Sequence, residues 1–448
     1  MVVPVVAIPP SIEAGLVPYR DLFPRSETYH HILEYCTGLV VLDKPSINRL
    51  AACLVDGPAQ SSINKALTRS PWSGEAVNER RLERIQKHHR GKGLTIGIID
   101  STFSHHPRGE KKIYGVYRYW DYINGCYTYA IQLVTAAIAT GDRCDGFDYR
   151  IYHRFHQEQE LAYLQATRPA PEEGDWQPWL RRLVELLAYD LHRRQHKTKP
   201  QLAAELIEQM DASEMAPDVY TVDSALFAPA VIEAIEKYGK PWLADSEKTR
   251  WVFWQGQTFN CETFAQSRPD EAYRPVTLRR RGQEKSYWVF SCVVRIKKYG
   301  KVRMAVIYDN PDRQGKPIYC FTRHLTWSAS KIIQVRCHRW DIEPLHEQIK
   351  QFLGAEDSQL QTETGVRRHL TLVFVVNSLL KSLDLSQPIG DLPMTEFQDV
   401  SPTFGQRCRR ILFEVFHDLI QTMARWLEER QMTPGEIFET LFKRMLYA

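Results

Sequence analysis

No C-x-x-C pair occurs in the 448 residues, and the nine cysteines (36, 53, 126, 144, 261, 292, 320, 337 and 408) follow no regular spacing. That argues against a zinc module and a disulfide scaffold, and for a reducing compartment. No apolar run is long enough to span a membrane; "LTLVFVV" (370–376) is far too short and reads as part of a buried helix, so no membrane partner is expected. The N-terminal "MVVPVVAIPPSIEAGLVPY" lacks a basic segment, and its prolines break any apolar helix, so it does not read as a secretory signal. Internal repeats and low-complexity tracts are absent. No glycine-rich phosphate loop follows the first strand-like run, where "LTIGIID" passes into "STFSHHPRGEKK", which disfavours dinucleotide and P-loop folds. The excess of one charge sign is small too: a net +4 at this length does not argue for nucleic acid by itself.

What remains is an ordinary globular composition with length for two or three domains. Basic clusters stand at 80–93, 192–199, 278–285 and 295–303, and most such runs are solvated faces. Residues 28–90 read as helices. "SINRLAACLV" (46–55) and "SSINKALTRS" (61–70) are short amphipathic segments with Ser at N-cap positions, which suits either a helix-turn-helix-like DNA reader or plain helical packing. From 94 the pattern changes to strands: "LTIGIID", then "IYGVYRYWDY" and "CYTYAIQLVTAAIA" around a Gly turn, with "FDYRIYHR" (147–154) either prolonging the last strand or adding one. A proline-rich, acidic break (168–178) precedes helices over about 178–210, with Leu183, Leu186, Leu187 and Leu191 at helical spacing. Strand "VYTVDS", helix "APAVIEAIEKYG" and strand "KPWLADS" follow. Residues 251–324 read as a β-rich, aromatic insertion, and helices return from about 326. Thr433, Pro434 and Glu436 spell a capping box with Pro at N1. The order predicts a mixed α/β fold.

Two aspartates end strands, Asp100 and Asp223. Taken singly, each is as well read as a turn or cap residue. A third carboxylate, Glu343, sits in "RCHRWDIEPLHEQIKQFLG" (336–354), where Arg336, Arg339, His346 and Lys350 share its helical face. Three converging carboxylates repel one another unless a divalent cation compensates them, and hard oxygen ligands suit Mg²⁺ or Mn²⁺. Two such ions would serve phosphodiester chemistry, with Arg336, Arg339 and Lys350 holding DNA phosphates beside them. Pro344 predicts a kink, or a helix starting there; Glu347, one turn on, is the fallback ligand.

The spacing R-x3-E-x6-K in "RWDIEPLHEQIK" resembles the Y-R-E-K motif of bacterial insertion-sequence DDE transposases. "IIDST" and "VDSALF" resemble the blocks around that family's first two aspartates, and "GVYRYWDYINGCYTYAIQLVTAAI" its following strand pair. The motif's Tyr is replaced by Arg336. The resemblance covers about 91–385. It implies an RNase H-like core split as 91–250 and 325–390 by the insertion at 251–324, with a helical DNA-binding region at 1–90 and a helical C-terminal region at 391–448. It implies Asp100, Asp223 and Glu343 as ligands of two Mg²⁺ or Mn²⁺ ions. It also implies Arg339 and Lys350 near the cleaved end, and double-stranded transposon ends and target as substrates. An insertion aromatic (Trp251, Trp254 or Trp288) would stack on an extruded base or simply pack in the core. A homodimer is expected in the synaptic complex, with the stripe Ile411, Leu412, Val415, Leu419, Met423 and Trp426 serving either subunit pairing or the chain's own core. The implied setting is cytoplasmic, prokaryotic and nucleoid-associated. Another RNase H-like nuclease, or a decayed DNA-binding derivative, remains the alternative.

Overall fold

The computed structural model describes residues 3–106, 112–121, 124–154, 165–166, 176–390, 392, 402–443 and 445. Five helices open the chain: α1 (Pro10–Leu16), α2 (Ser26–Val41), α3 (Ile47–Cys53), α4 (Gln60–Thr68) and α5 (Gly74–Gln86). Four strands follow, β1 (Thr95–His105), β2 (Val116–Asp121), β3 (Cys126–Thr140) and β4 (Arg143–Tyr152). Next come α6 (Trp176–Gln195), α7 (Lys199–Asp211), β5 (Val219–Val222), α8 (Pro229–Lys237) and β6 (Trp242–Ser246). The aromatic stretch folds as β7 (Trp251–Trp254), β8 (Gln257–Asn260), α9 (Cys261–Gln266), β9 (Arg274–Arg280), β10 (Gln283–Ile296), β11 (Gly300–Tyr308) and β12 (Ile318–Thr322). α10 (Ala329–Arg339), α11 (Ile342–Glu347), α12 (Glu363–Lys381), α13 (Phe404–Glu428) and α14 (Pro434–Phe442) end the chain. Most of the proline-rich break expected at 168–178 lies outside the described residues.

One mixed sheet runs β2-β3-β1-β5-β6-β12-β11-β10-β7-β8, with β4 also on β3 and β9 also on β10. β4 is a strand of its own, separated from β3 by a turn in which Gly141 takes φ +58°. β1, β5 and β6 are parallel, while β1, β3 and β4 are antiparallel. Three antiparallel strands followed by two parallel ones, with helices on both faces, make the fold RNase H-like. β12 pairs β6, so the strands of 251–322 continue this sheet.

Strand alternation sorts the apolar side chains into two cores. Ile96 and Ile98 of β1 face α10, α11, α12 and the N-terminal helices. Ile99, Tyr220 and Val222 face α7 and α8. Asp100, Asp223 and Asp245 are therefore in phase with the first face, Asp223 and Asp245 at the ends of β5 and β6 and Asp100 midway along β1.

The N-terminal helices build that first core. Ser46 caps α3 by accepting from the Arg49 N–H, but Ser61 caps nothing, because α4 begins after Ala59. Leu50, Cys53, Ile63 and Leu67 are buried, so both short helices turn their apolar faces inward and leave polar residues such as Asn64 and Lys65 outside. "LTLVFVV" is buried in α12 as expected. The capping box at Thr433 and Glu436 forms. Ile411, Val415, Leu419 and Trp426 of α13 pack into the chain's own core. A different stripe, Phe413, Ile420 and Leu427, is exposed. In α6, Leu183 and Leu187 are exposed, while the side chain of Leu191 is outside the described set.

Candidate active site

The stretch 336–354 is not one helix. α10 stops at Arg339 with Trp340 as its cap, and α11 starts at Ile342, so Pro344 sits in a first turn where its missing N–H costs little. A π turn, Gln348–Phe352, continues α11. The expected break is present, and it separates Arg336 and Arg339 on α10 from Glu343 and His346 on α11 and Lys350 on the π turn.

Arg339 lies at the centre. Its Nη1 is 3.8 Å from Asp100 and 3.4 Å from Asp223. Its Nη2 is 3.6 Å from Glu343, and its Nε is 2.8 Å from Asp245. β5 and β6 thus deliver Asp223 and Asp245 from their ends, and α11 delivers Glu343 from its first turn. Asp100, expected at a strand end, lies instead in the middle of β1, just past Ile99 where the pairing with β5 stops, because β1 runs on along β3 to His105. Asp100 and Asp223 are held locally: Asp100 Oδ1 accepts from the Ser101 N–H at 2.7 Å, and Asp223 Oδ2 from the Ala225 N–H at 3.1 Å. Burial, then the Asp223 charge, pushes the Asp100 carboxyl up to about 7 against the pull of Arg339 and Ser101, with Glu343 adding to the rise. Glu343 reaches solvent, its side chain 59 % exposed. Glu347 is exposed on the next turn and forms no ion pair with Arg339 among the described residues.

Asp245 is the member that sequence reasoning missed. Its strand was expected from "KPWLADS", and the same strand-end signal as Asp223 was present. Only the parallel register, Val222 beside Ala244, reveals that the two aspartates are neighbours.

Arg336 was expected on DNA phosphate. It is buried instead, forked onto Asp245 at 3.2 and 3.1 Å, with its guanidinium over the Trp340 ring. A guanidinium spent on a buried carboxylate is not available to solvent. His346 is buried too, bonded to Thr135 Oγ1 at 2.8 Å; burial, then Lys350, lowers it to about 3, so it stays neutral. Lys350 is half-buried. Burial lowers its pKa, while Glu356, Asp100 and Asp121 act the other way, which places its ammonium within the field of the site.

The donor chemistry suits a hard divalent cation: carboxylate oxygens converging from three strands and a helix. Among the described residues, no group of His, Cys, Asp or Glu is gathered tightly enough to grip an ion as it stands. A guanidinium fills the centre between them, so the residues fit the ion once that cation moves aside.

The basic segments divide. Arg280 and Arg281 bind Asp341, docking the β9–β10 hairpin onto the end of α10. Arg295 and Lys301 are exposed, beside the exposed Trp251 and Phe253. Of the three candidate tryptophans, Trp254 lies under Arg268 and against Phe264, Trp288 packs on the second core, and Trp251 is free at 60 % exposure. Following the register from Asp245 through Cys320, Ala305 and Ser291, and then two residues at a time to Val293 and Arg295, leads to Phe253. That patch is therefore on the carboxylate face. So is a second one on the β2–β3 hairpin, where Trp120 packs on Tyr127 beneath Arg118.

No curated protein matches the chain. The family model described as "DDE superfamily endonuclease" matches residues 18–285, more than half of it; the match includes Asp100, Asp223 and Asp245 and ends before Glu343.

Proposed function

Because the chain belongs to the DDE superfamily endonucleases, a family of metal-dependent nucleases acting on DNA, we propose that it is the transposase of an insertion sequence. It cuts at the element's terminal inverted repeats and joins the freed 3′-OH ends to target DNA. The observation that carries this reading is the convergence of Asp100, Asp223 and Glu343 on one cationic centre.

In this reading Asp100, Asp223 and Glu343 would hold two Mg²⁺ or Mn²⁺ ions. Two such ions supply Lewis-acid stabilisation of the attacking and leaving oxygens of an in-line displacement. The chain's own residues do the rest. Asp100 and Asp223 are fixed by backbone N–H groups, so their free oxygens keep their aim. Glu343 closes the site from its solvent side. Lys350 offers a point charge to the phosphate next to the scissile one, and the terminal nitrogens of Arg339 offer a fork. Arg336 acts from behind, by fixing Asp245. The patches at Trp251, Phe253, Arg295 and Lys301 and at Arg118, Trp120 and Tyr127 flank the carboxylates on one face; aromatic faces take bases and cations take phosphates. Trp251 is the aromatic assigned to an extruded base. Pairing of two ends calls for two subunits. Phe413, Ile420 and Leu427 repeat every seven residues along the outer face of α13, the spacing of a helix–helix seam, and that face is assigned to the homodimer.

The test maps strand breaks to the nucleotide in DNA carrying the reading frame's own flanks, with Mg²⁺ or Mn²⁺. Metal-dependent breaks at two matching inverted ends are expected, and Trp251→Ala is expected to slow end cleavage by about 10-fold, the scale of one lost base–aromatic stack. Breaks scattered without preference would replace the transposase by a general nuclease. Tight binding with no breaks would indicate a decayed derivative.

A further inference from the structure

Arg339 is an arginine with four acidic neighbours and no well-made bond. Three of its contacts are long, at 3.4, 3.6 and 3.8 Å. The fourth, Nε to Asp245, is short at 2.8 Å, yet the buried Nε has no hydrogen-bond partner, because its N–H is not aligned on that oxygen. Arg336 presents the contrast: it takes both Asp245 oxygens in a fork. Arg336 is thus built in, whereas Arg339, in the middle of the ring of carboxylates, keeps a single long hydrogen bond, from Nη1 to Asp223 Oδ1 at 3.4 Å, and is otherwise held by charge. A buried N–H left unaligned is costly, so the arrangement is one that another state relieves.

We propose that Arg339 stands in for the divalent cation in the metal-free protein, and that Asp245 is a positioning residue that keeps this arginine at the site. The idea rests on the metal-dependent reading above. Without metal, the Arg339 guanidinium offsets part of the repulsion among Asp100, Asp223 and Glu343, while Arg336 takes much of the Asp245 charge. When ions enter, the positive charge of Arg339 opposes them. Nη1 and Nη2 leave Asp100, Asp223 and Glu343, while Asp245, itself fixed by Arg336 and by the Cys320 thiol at 3.2 Å, retains the Nε end. The freed fork then faces the position of the DNA phosphate. Metal entry and delivery of the arginine to DNA become one event, and Asp245 acts through the arginine and not on the ion.

Mn²⁺ binding to the full-length protein, read from the loss of the free-ion electron paramagnetic resonance signal without DNA, tests this. Arg339→Gln is expected to tighten Mn²⁺ binding by roughly 10-fold or more, since a competing positive charge is gone. Arg339→Lys, which keeps the charge, is expected to stay near the wild type. Asp245→Asn added to Arg339→Gln is expected to leave the affinity within about two-fold, because the residue it works through is already absent. A thermal scan gives the second readout: Arg339→Gln melts below the wild type without metal, and saturating Mn²⁺ closes the gap. Equal Mn²⁺ affinity in wild type and Arg339→Gln overturns the stand-in role while leaving the metal site intact. A variant that stays unfolded even with Mn²⁺ makes Arg339 a structural residue and overturns it too. A further loss on adding Asp245→Asn makes Asp245 a metal ligand. No Mn²⁺ binding to any form removes the metal reading itself, and the proposal with it.

Discussion

Asp223→Asn is expected to lower strand cleavage on the order of a thousand-fold or more, and Asp100→Asn and Glu343→Gln to do the same, because in the proposed metal centre each removes a charged oxygen ligand from a set whose parts act as one unit. The substitutions keep size and shape. Asp223→Asn keeps a side-chain oxygen for the Ala225 N–H, so the turn after β5 should survive. DNA binding without metal should persist and become slightly tighter, since one carboxylate fewer opposes the phosphates. That opposite movement separates a lost ligand from a lost fold. Cleavage by gel assay and binding by fluorescence anisotropy, measured on the same preparations, check it. A variant that still cuts within about ten-fold of the wild type would not have lost a ligand on this scale.

The second large effect lies in the scaffold. Arg81 of α5 is fully buried. Its guanidinium donates to the Gly146 and Phe147 carbonyls, to Asn78 Oδ1 and to Ser378 Oγ. The carbonyls belong to an irregularity in β4, where Asp148 pairs with Ala136 but Gly146 with Ala137, leaving Phe147 as an extra residue. A bulge of this kind leaves ladder groups without partners, and Arg81 supplies donors for them. Gly146 is needed there, because a Cβ would lie 2.3 Å from the Phe374 ring and 3.2 Å from Leu345, one residue from Pro344 in α11. Arg81 thus clips α5, β4 and α12 together beneath the helix that carries Glu343. Arg81→Met keeps the apolar stem but strands two buried carbonyls, at a cost of about 3–5 kcal/mol. That is a large share of a net stability of roughly 5–15 kcal/mol. Arg81→Lys, which can serve one carbonyl and not both, should cost about half as much. Urea unfolding with the wild type alongside measures both. A loss under about 1 kcal/mol for Arg81→Met would mean the carbonyls find other donors.

Features written locally were legible in the sequence. The strand order around Asp100 and Asp223 follows from apolar runs bounded by turn residues. The break before α11 follows from Pro344, and the buried α12 from its apolar content. Features decided by partners far along the chain were not. Asp245 carried the same strand-end signal as Asp223, but only the pairing of β5 with β6 makes them neighbours. Arg336 shares a helical face with Arg339 in a continuous helix; in the fold it turns inward because a carboxylate waits there. Arg280 and Arg281 read as solvent-facing cations until Asp341 is placed beside them. The apolar stripe of α13 was read correctly as periodic, yet periodicity alone does not say which of two stripes is covered. Ile411, Val415 and Leu419 meet the core, and Phe413 and Ile420 do not.

The divalent-metal centre proposed among Asp100, Asp223 and Glu343 can be located directly on the polypeptide. Iron(II) in place of Mg²⁺, with ascorbate and peroxide, generates hydroxyl radicals that cut the polypeptide close to the bound ion, and mass spectrometry locates the cuts. Cuts are expected in three separate places, around Asp100 in β1, Asp223 after β5 and Arg339–Glu343, all suppressed together by excess Mg²⁺. Cuts elsewhere, or cuts at these places that Mg²⁺ does not suppress, would mean that the ion is not held by these three carboxylates.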